Sequence, residues 1–179
     1  MKRLTLLRHA KSGEDITAAR DFDRTLNAKG RRAARAMGRH MRTAALRFDA
    51  VLASPAIRVA ETLEEVAAGY GEALSPTWER RIYLASSEEL LDVIHAAPDQ
   101  AESLLLVGHN PGLEQLVLML VPSNAPGARD EVAAKYPTGS LAELAFDVAQ
   151  WAEIAPGSGA LLRFVRPRDL DPELGPEYA

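Results

Sequence analysis

The chain alternates short apolar runs with longer segments whose apolar positions recur at three- and four-residue steps. Leu4 to Leu7 is a run of the first kind and predicts a buried strand. In the segment 27–47, Ala33, Met37, Met41 and Ala44 recur at helical spacing and predict a helix. The pattern then repeats. Asp49 to Ser54 predicts a strand, and Ala56 to Ala68 a helix with Ala60, Leu63 and Ala67 on its inner side. The stretch "WERRIYLA", from Trp78, is a weaker strand pattern. Ser86 and Glu89 form a capping box ahead of a helix with Leu90, Leu91 and Ile94 inside. "SLLLVG" is a strong buried strand, and Leu113, Leu116, Val117 and Leu120 give the next helix its apolar side. Beyond Pro122 come a loop rich in Pro, Gly and Asn, a short helix near 128–135, and two late strands, Leu141 to Phe146 and Ala160 to Val165. Strands alternating with helices predict an α/β protein, a three-layer α/β/α sandwich around a mostly parallel central sheet. Residues 1–166 read as one domain. The Pro-rich, acidic tail 167–179 reads as loosely attached.

Polar residues interrupt this pattern where strands give way to helices. In an open α/β sheet that edge, beyond the carboxyl ends of the strands, is where ligands bind. Arg8 and His9 follow the first strand, Ser54 and Arg58 the second, and His109 and Asn110 the "SLLLVG" strand. The topology therefore predicts that two imidazoles and two guanidiniums converge from distant segments. Arg58 sits in the first turn of its helix, where the macrodipole makes a cation unfavourable by ~0.3 to 1 kcal/mol. A bound anion removes that conflict, and helix starts bearing arginine suit phosphate. A metal fits poorly, because the guanidiniums repel cations and the three clusters contain no Asp or Glu. No metal and no cofactor are expected.

Composition narrows the class. With 179 residues, 47% hydrophobic and 26% charged, the chain can bury one substantial core. A net charge of -4 argues against nucleic acid as partner, which leaves local anion binding. Cys is absent, which excludes thiol chemistry and disulfides. The start of the chain does not fit a signal peptide, and no apolar run approaches the ~18 to 20 residues of a membrane helix. A cytoplasmic monomer with no membrane partner is expected.

The motifs "LLRHAKS", "VLASPAIRVAET" and "LLLVGHNPG", with "DFDRTLNAKG" and "YPTGSLAEL", together resemble the histidine phosphatase superfamily. The likeness reaches about Val165 and is strongest to the SixA-type phosphohistidine phosphatases, of phosphoglycerate-mutase-like fold. It implies that His9 is a nucleophile that becomes phosphorylated, that Arg8, Arg58 and His109 bind the equatorial oxygens, and that Arg24 is a further pocket arginine. Asn110 and the "PTG" loop would line the rim. Phosphoryl transfer needs in-line positioning and positive charge, which these residue types supply.

Two features depart from the wider family. Ala10 replaces a glycine, and Arg81 stands near where many members carry a carboxylate that protonates an alcohol leaving group. Glu79, Glu88 and Glu89 lie nearby, and Asp21 and Asp23 are further candidate proton donors. The SixA-type branch also lacks that acid. An imidazole with pKa ~6.5 leaves far more easily than an alkoxide, so the gap favours phosphohistidine on a protein. The alternatives are a small phosphorylated substrate handled by the same mechanism and a phosphate-binding sensor without turnover. The stripe Arg31, Arg35, Arg39 and Arg42 reads as a solvated helix face, His40 and His95 as structural, and Trp78 and Trp151 as core or half-buried anchors.

Overall fold

The computed structural model describes residues 1–13, 18 and 20–176. Among them, six strands form one sheet: β1 (Lys2–Arg8), β2 (Ala50–Ala53), β3 (Thr77–Trp78), β4 (Ser103–Gly108), β5 (Leu141–Phe146) and β6 (Gly159–Val165). Their order is β3-β2-β4-β1-β5-β6. The first four strands pair in parallel, and β5 runs antiparallel to both β1 and β6. The helices are α1 (Ala28–Thr43), α2 (Ile57–Tyr70), α3 (Ser87–His95), α4 (Gly112–Leu120), α5 (Arg129–Ala134) and α6 (Pro167–Leu170). The predicted three-layer arrangement is present in this mixed sheet.

Alternation along β4 shows how the layers divide. Leu104 and Leu106 join the core under α3 and α4, while Leu105 and Val107 join the core under α1 and α2. All four are fully buried. A strand covered on both faces needs the continuous apolar run seen in the sequence. At the other end of the strand, Gly108 aligns with Arg8 in the register of β1, so the polar residues of both strands emerge side by side.

Local signals set the helix boundaries. The Asn27 side chain caps α1 by accepting from the Gly30 amide at 2.7 Å, and the Ser86–Glu89 capping box starts α3 as expected. Gly71, at φ 83°, ends α2 in the left-handed region. α1 and α2 touch along glycines: a Cβ on Gly38 would overlap the Val66 carbonyl oxygen, and one on Gly69 would overlap that of Arg35. Their backbones therefore pack directly against one another.

Four expectations are corrected. Only Trp78 of the "WERRIYLA" stretch is strand, as the last residue of β3, and Arg80–Ile82 form a 3-10 turn in which the Glu79 carboxylate accepts from the Arg81 amide. As an edge strand next to β2 alone, it has little pairing to hold that charged run extended. Trp78 there is 48% exposed, whereas Trp151 is fully buried and donates its ring N–H to the Ala101 carbonyl. The inner side of α2 runs through Val59, Leu63, Val66 and Tyr70, not Ala60 and Ala67, because the bulkier side chains bury more apolar area. The tail is docked through residue 176. Pro167 is buried, Leu170 packs on the α1–α2 core, and Lys29 of α1 donates to the Gly175 carbonyl; the last three tail residues lie outside the described ones.

The arginine stripe is half solvated and half paired. Arg31 reaches Glu61 at 2.7 Å, and Arg35 reaches Glu65 at 2.7 Å. His95 contacts the Ile154 carbonyl through Nε2 at 2.7 Å, which ties α3 to a later loop.

Candidate active site

The first strand delivers Arg8 and His9 to a cavity of about 290 Å³, which Arg58 from α2 and His109 and Asn110 from the β4–α4 turn also line. Arg24, Lys11, Ser12, Leu84 and Thr138 complete its wall. All six residues singled out from the sequence are thus at one place. The expectation that segments a hundred residues apart converge is met by the parallel pairing of β1 with β4 and of β4 with β2.

His9 is 7% exposed and its ring is fixed from both sides. Nδ1 lies 2.8 Å from the Ala10 carbonyl oxygen, and Nε2 lies 3.4 Å from Arg58 Nε. A carbonyl can only accept and a guanidinium can only donate, so the proton sits on Nδ1 and the lone pair on Nε2. Burial is the main force that depresses the His9 pKa to about 3, with the positive fields of Arg58 and Arg8 adding to it. His9 is therefore a neutral, oriented nitrogen base at neutral pH. The Ala10 amide donates to Thr62 Oγ1 at 2.9 Å, which anchors the backbone beside it to α2.

His109 lies with its ring centroid 5.3 Å from that of His9. Its Nδ1 faces Arg58 Nη2 at 3.3 Å, and its Nε2 lies 2.8 Å from Ser54 Oγ. By the same logic Nε2–H donates to the serine and Nδ1 keeps its lone pair. Burial and the Arg58 charge lower the His109 pKa to about 4.

Arg58 is 3% exposed, and it holds its position in the first turn of α2 through an anion. Its Nη1 donates to the Asp21 carbonyl at 2.8 Å and its Nη2 to Asp21 Oδ2 at 3.0 Å. Asp21 belongs to a 3-10 turn, Asp21–Asp23, and it also accepts from the Tyr83 hydroxyl at 2.6 Å and from Arg24 Nη1 at 3.2 Å. The Tyr83 hydrogen bond, followed by Arg58, lowers its pKa to about 2. A carboxylate thus reaches clusters that contain none in sequence, and it arrives ionised, so in this arrangement Asp21 is no proton donor.

Arg8 donates through Nη1 to the Tyr136 carbonyl at 2.8 Å, and its buried Nε makes no hydrogen bond. Asn110 Nδ2 donates to the same carbonyl at 3.1 Å, and Asn110 Oδ1 accepts from the Glu114 amide at 3.2 Å. Arg24 Nη2 donates to Ser12 Oγ at 2.8 Å. Four residues the sequence reading did not place take part: Thr62, Tyr83, Tyr136 and Leu84. Thr62 and Tyr136 lie within the quoted motifs "VLASPAIRVAET" and "YPTGSLAEL", whereas Tyr83 and Leu84 act through tertiary proximity alone. Leu84 is 56% exposed at the cavity rim. Among the described residues no group of three or more His, Asp or Glu side chains is arranged to hold a metal ion. No helix among them is long and apolar enough to cross a membrane.

Comparison with known proteins agrees with this geometry. The family described as histidine phosphatase superfamily (branch 1) matches residues 4–82. The chain is 33% identical over 164 residues to the functionally unassigned protein Rv1276c of Mycobacterium tuberculosis, covering 90% of this chain and 100% of that one. Among solved structures, a SixA protein of Nakamurella multipartitia, provisionally named a phosphohistidine phosphatase, is 30% identical with a TM-score of 0.81. That match covers 93% of this chain and 96% of the other. The protein histidine phosphatase SixA complexed with tungstate shares the fold at a TM-score of 0.77 and 23% identity, over 94% of this chain and 99% of the other.

Proposed function

Because the chain belongs to the histidine phosphatase superfamily and is SixA-like in fold, we propose that this phosphatase hydrolyses phosphohistidine on a protein, through a phosphoryl group carried transiently on His9. The observation that carries the reading is the pair of fixed tautomers: His9 presents a lone pair at Nε2 within a ring of Arg8, Arg58 and His109.

In the first half of the reaction, His9 Nε2 attacks phosphorus while the bond from phosphorus to the substrate's ring nitrogen breaks. The departing ring leaves neutral when its other nitrogen carries a proton, so no strong enzyme acid is required. Arg8, Arg58 and His109 bear on the equatorial oxygens, where fixed positive charge is worth most. In the second half, water attacks the phosphoryl on His9, the bond to Nε2 breaks, and phosphate leaves. Arg24 and Asn110 border the substrate, and exposed Leu84 offers an apolar edge for a flat ring. Asp21 must release Arg58 as the phosphoryl group enters, because both anions claim the same guanidinium.

Among the described residues the cavity wall holds no carboxylate, and Asp21, bonded to Arg58, is held ionised with a pKa of about 2, which supports phosphohistidine over sugar phosphates. The test is rapid acid-free quench of the enzyme during turnover, followed by mass spectrometry. Phosphate on His9 with a phosphohistidine peptide as the best substrate is the expected result. Phosphate on another residue, or faster turnover of phosphate esters, overturns the mechanism or the substrate class respectively.

A further inference from the structure

Beside the catalytic cavity lies a second one of about 340 Å³ that shares Arg8, Lys11 and Thr138 with it. Its far wall is the docked tail, with Arg166, Pro167, Arg168 and Leu174, and its near wall includes Lys29 of α1 and Lys135. Six cationic side chains line it and among the described residues no carboxylate does, while Arg166 is paired behind the wall with Asp169 at 2.9 Å and Glu131 at 3.8 Å. Lys11, Lys135 and Arg168 are exposed and make no ion pair among the described residues. Such concentration of one sign is at odds with a chain whose net charge is -4.

The remaining lining determines which anion fits. Pro137, Pro167 and Pro176 supply no N–H donors, which thins the backbone donors along this wall that could grip a compact phosphate. Ala33, Leu174 and the three prolines instead form an apolar floor beneath a cationic rim. An aliphatic stem ending in a carboxylate matches that division. Resting on the phosphohistidine reading above, we propose that this cavity takes an Asp or Glu side chain that neighbours the phosphohistidine on the substrate protein, and so selects acidic protein surfaces. Arg8 would then face both anions, the phosphoryl group on one side and the carboxylate on the other.

The experiment compares matched phosphohistidine peptides that carry Glu or Gln near the phosphorylated residue, with capped single phosphohistidine as reference. At low salt kcat/KM for the Glu peptide should exceed that for the Gln peptide by about fivefold, the scale of a few rim charges. The preference should vanish in the double variant Lys135→Glu/Arg168→Glu and near 1 M salt, while the single phosphohistidine is turned over as before. Binding of the same peptides, unphosphorylated, to the His9→Ala enzyme reads the cavity without turnover. Equal treatment of Glu and Gln peptides in both assays, or a preference that survives the double variant, overturns the proposal. A bisphosphorylated small molecule that displaces the Glu peptide and is itself lost in the double variant also overturns it, and makes the ligand a metabolite. If no phosphohistidine is hydrolysed yet the Glu peptide binds through Lys135 and Arg168, the phosphatase reading fails and the cavity stands.

Discussion

The two adjoining cavities contain the same kind of charge under opposite constraints. In the cavity around His9, Arg58 is buried, and three of its nitrogens are committed to His9, His109 and Asp21. Across the shared wall, Lys135 and Arg168 are exposed to solvent. Charge that is desolvated and held by partners acts at a fixed point in space, which is what a developing transition state requires. Charge on a solvated rim is screened and mobile, and it favours encounter and selection over chemistry. Effects of substitution should therefore be steep in one cavity and shallow in the other.

The steepest expected effect is His9→Ala, which removes the proposed nucleophile. Turnover should fall by at least about 10⁴-fold in a steady-state assay, with no phosphoenzyme detectable. Arg58→Lys keeps the charge but loses the fork, and kcat should drop on the order of 10²- to 10³-fold with little change in circular dichroism. Ser54→Ala leaves His109 without its acceptor and frees the ring to turn. A loss of about tenfold in kcat is expected, the value of one hydrogen bond, and Ser54→Thr should restore much of it.

Acid titration separates the cavities by a different measurement. The folded pKa values of His9 and His109 lie below the ordinary 6.5, so the unfolded chain binds more protons between those values. The stability they contribute is complete above about pH 6.5 and declines as pH falls towards about 3 to 4. Thermal melting across that range should show the decline, and His9→Gln should flatten part of it, whereas Lys135→Gln leaves it unchanged. The smallest effect is that of Asp21→Asn. Removing a half-exposed competitor for Arg58 should tighten inhibition by inorganic phosphate by no more than about fivefold.

How much of this was legible beforehand depended on the reach of each signal. The runs "LTLL" and "SLLLVG" read as buried strands, and β1 and β4 are strands covered on both faces. Arg8, His9, Arg58 and His109 were legible because parallel strands place their following residues at one edge whatever the loops do. Asp21 was visible only as a candidate acid; its bond to Arg58 depends on the path of a turn that no periodicity encodes. Tyr83 lies in a stretch whose pattern predicts a strand, where charged residues next to the single neighbour β2 yield a 3-10 turn. The tail misled through its composition. Its prolines and acids suggested a loose end, yet Pro167 and Leu170 are the apolar contacts that seat it.

The contact of Gly38 and Gly69 has a reach beyond its own location. Two helices joined backbone to backbone cannot slide, and they carry Arg58 at one end as a rigid bracket carries a fixture. A single methyl group added at residue 38 would have to lever α2 outward, and the guanidinium would travel with it. Activity is thus open to loss through lesions that touch no residue of the His9 cavity, which makes the close contact between these helices a place to look for them.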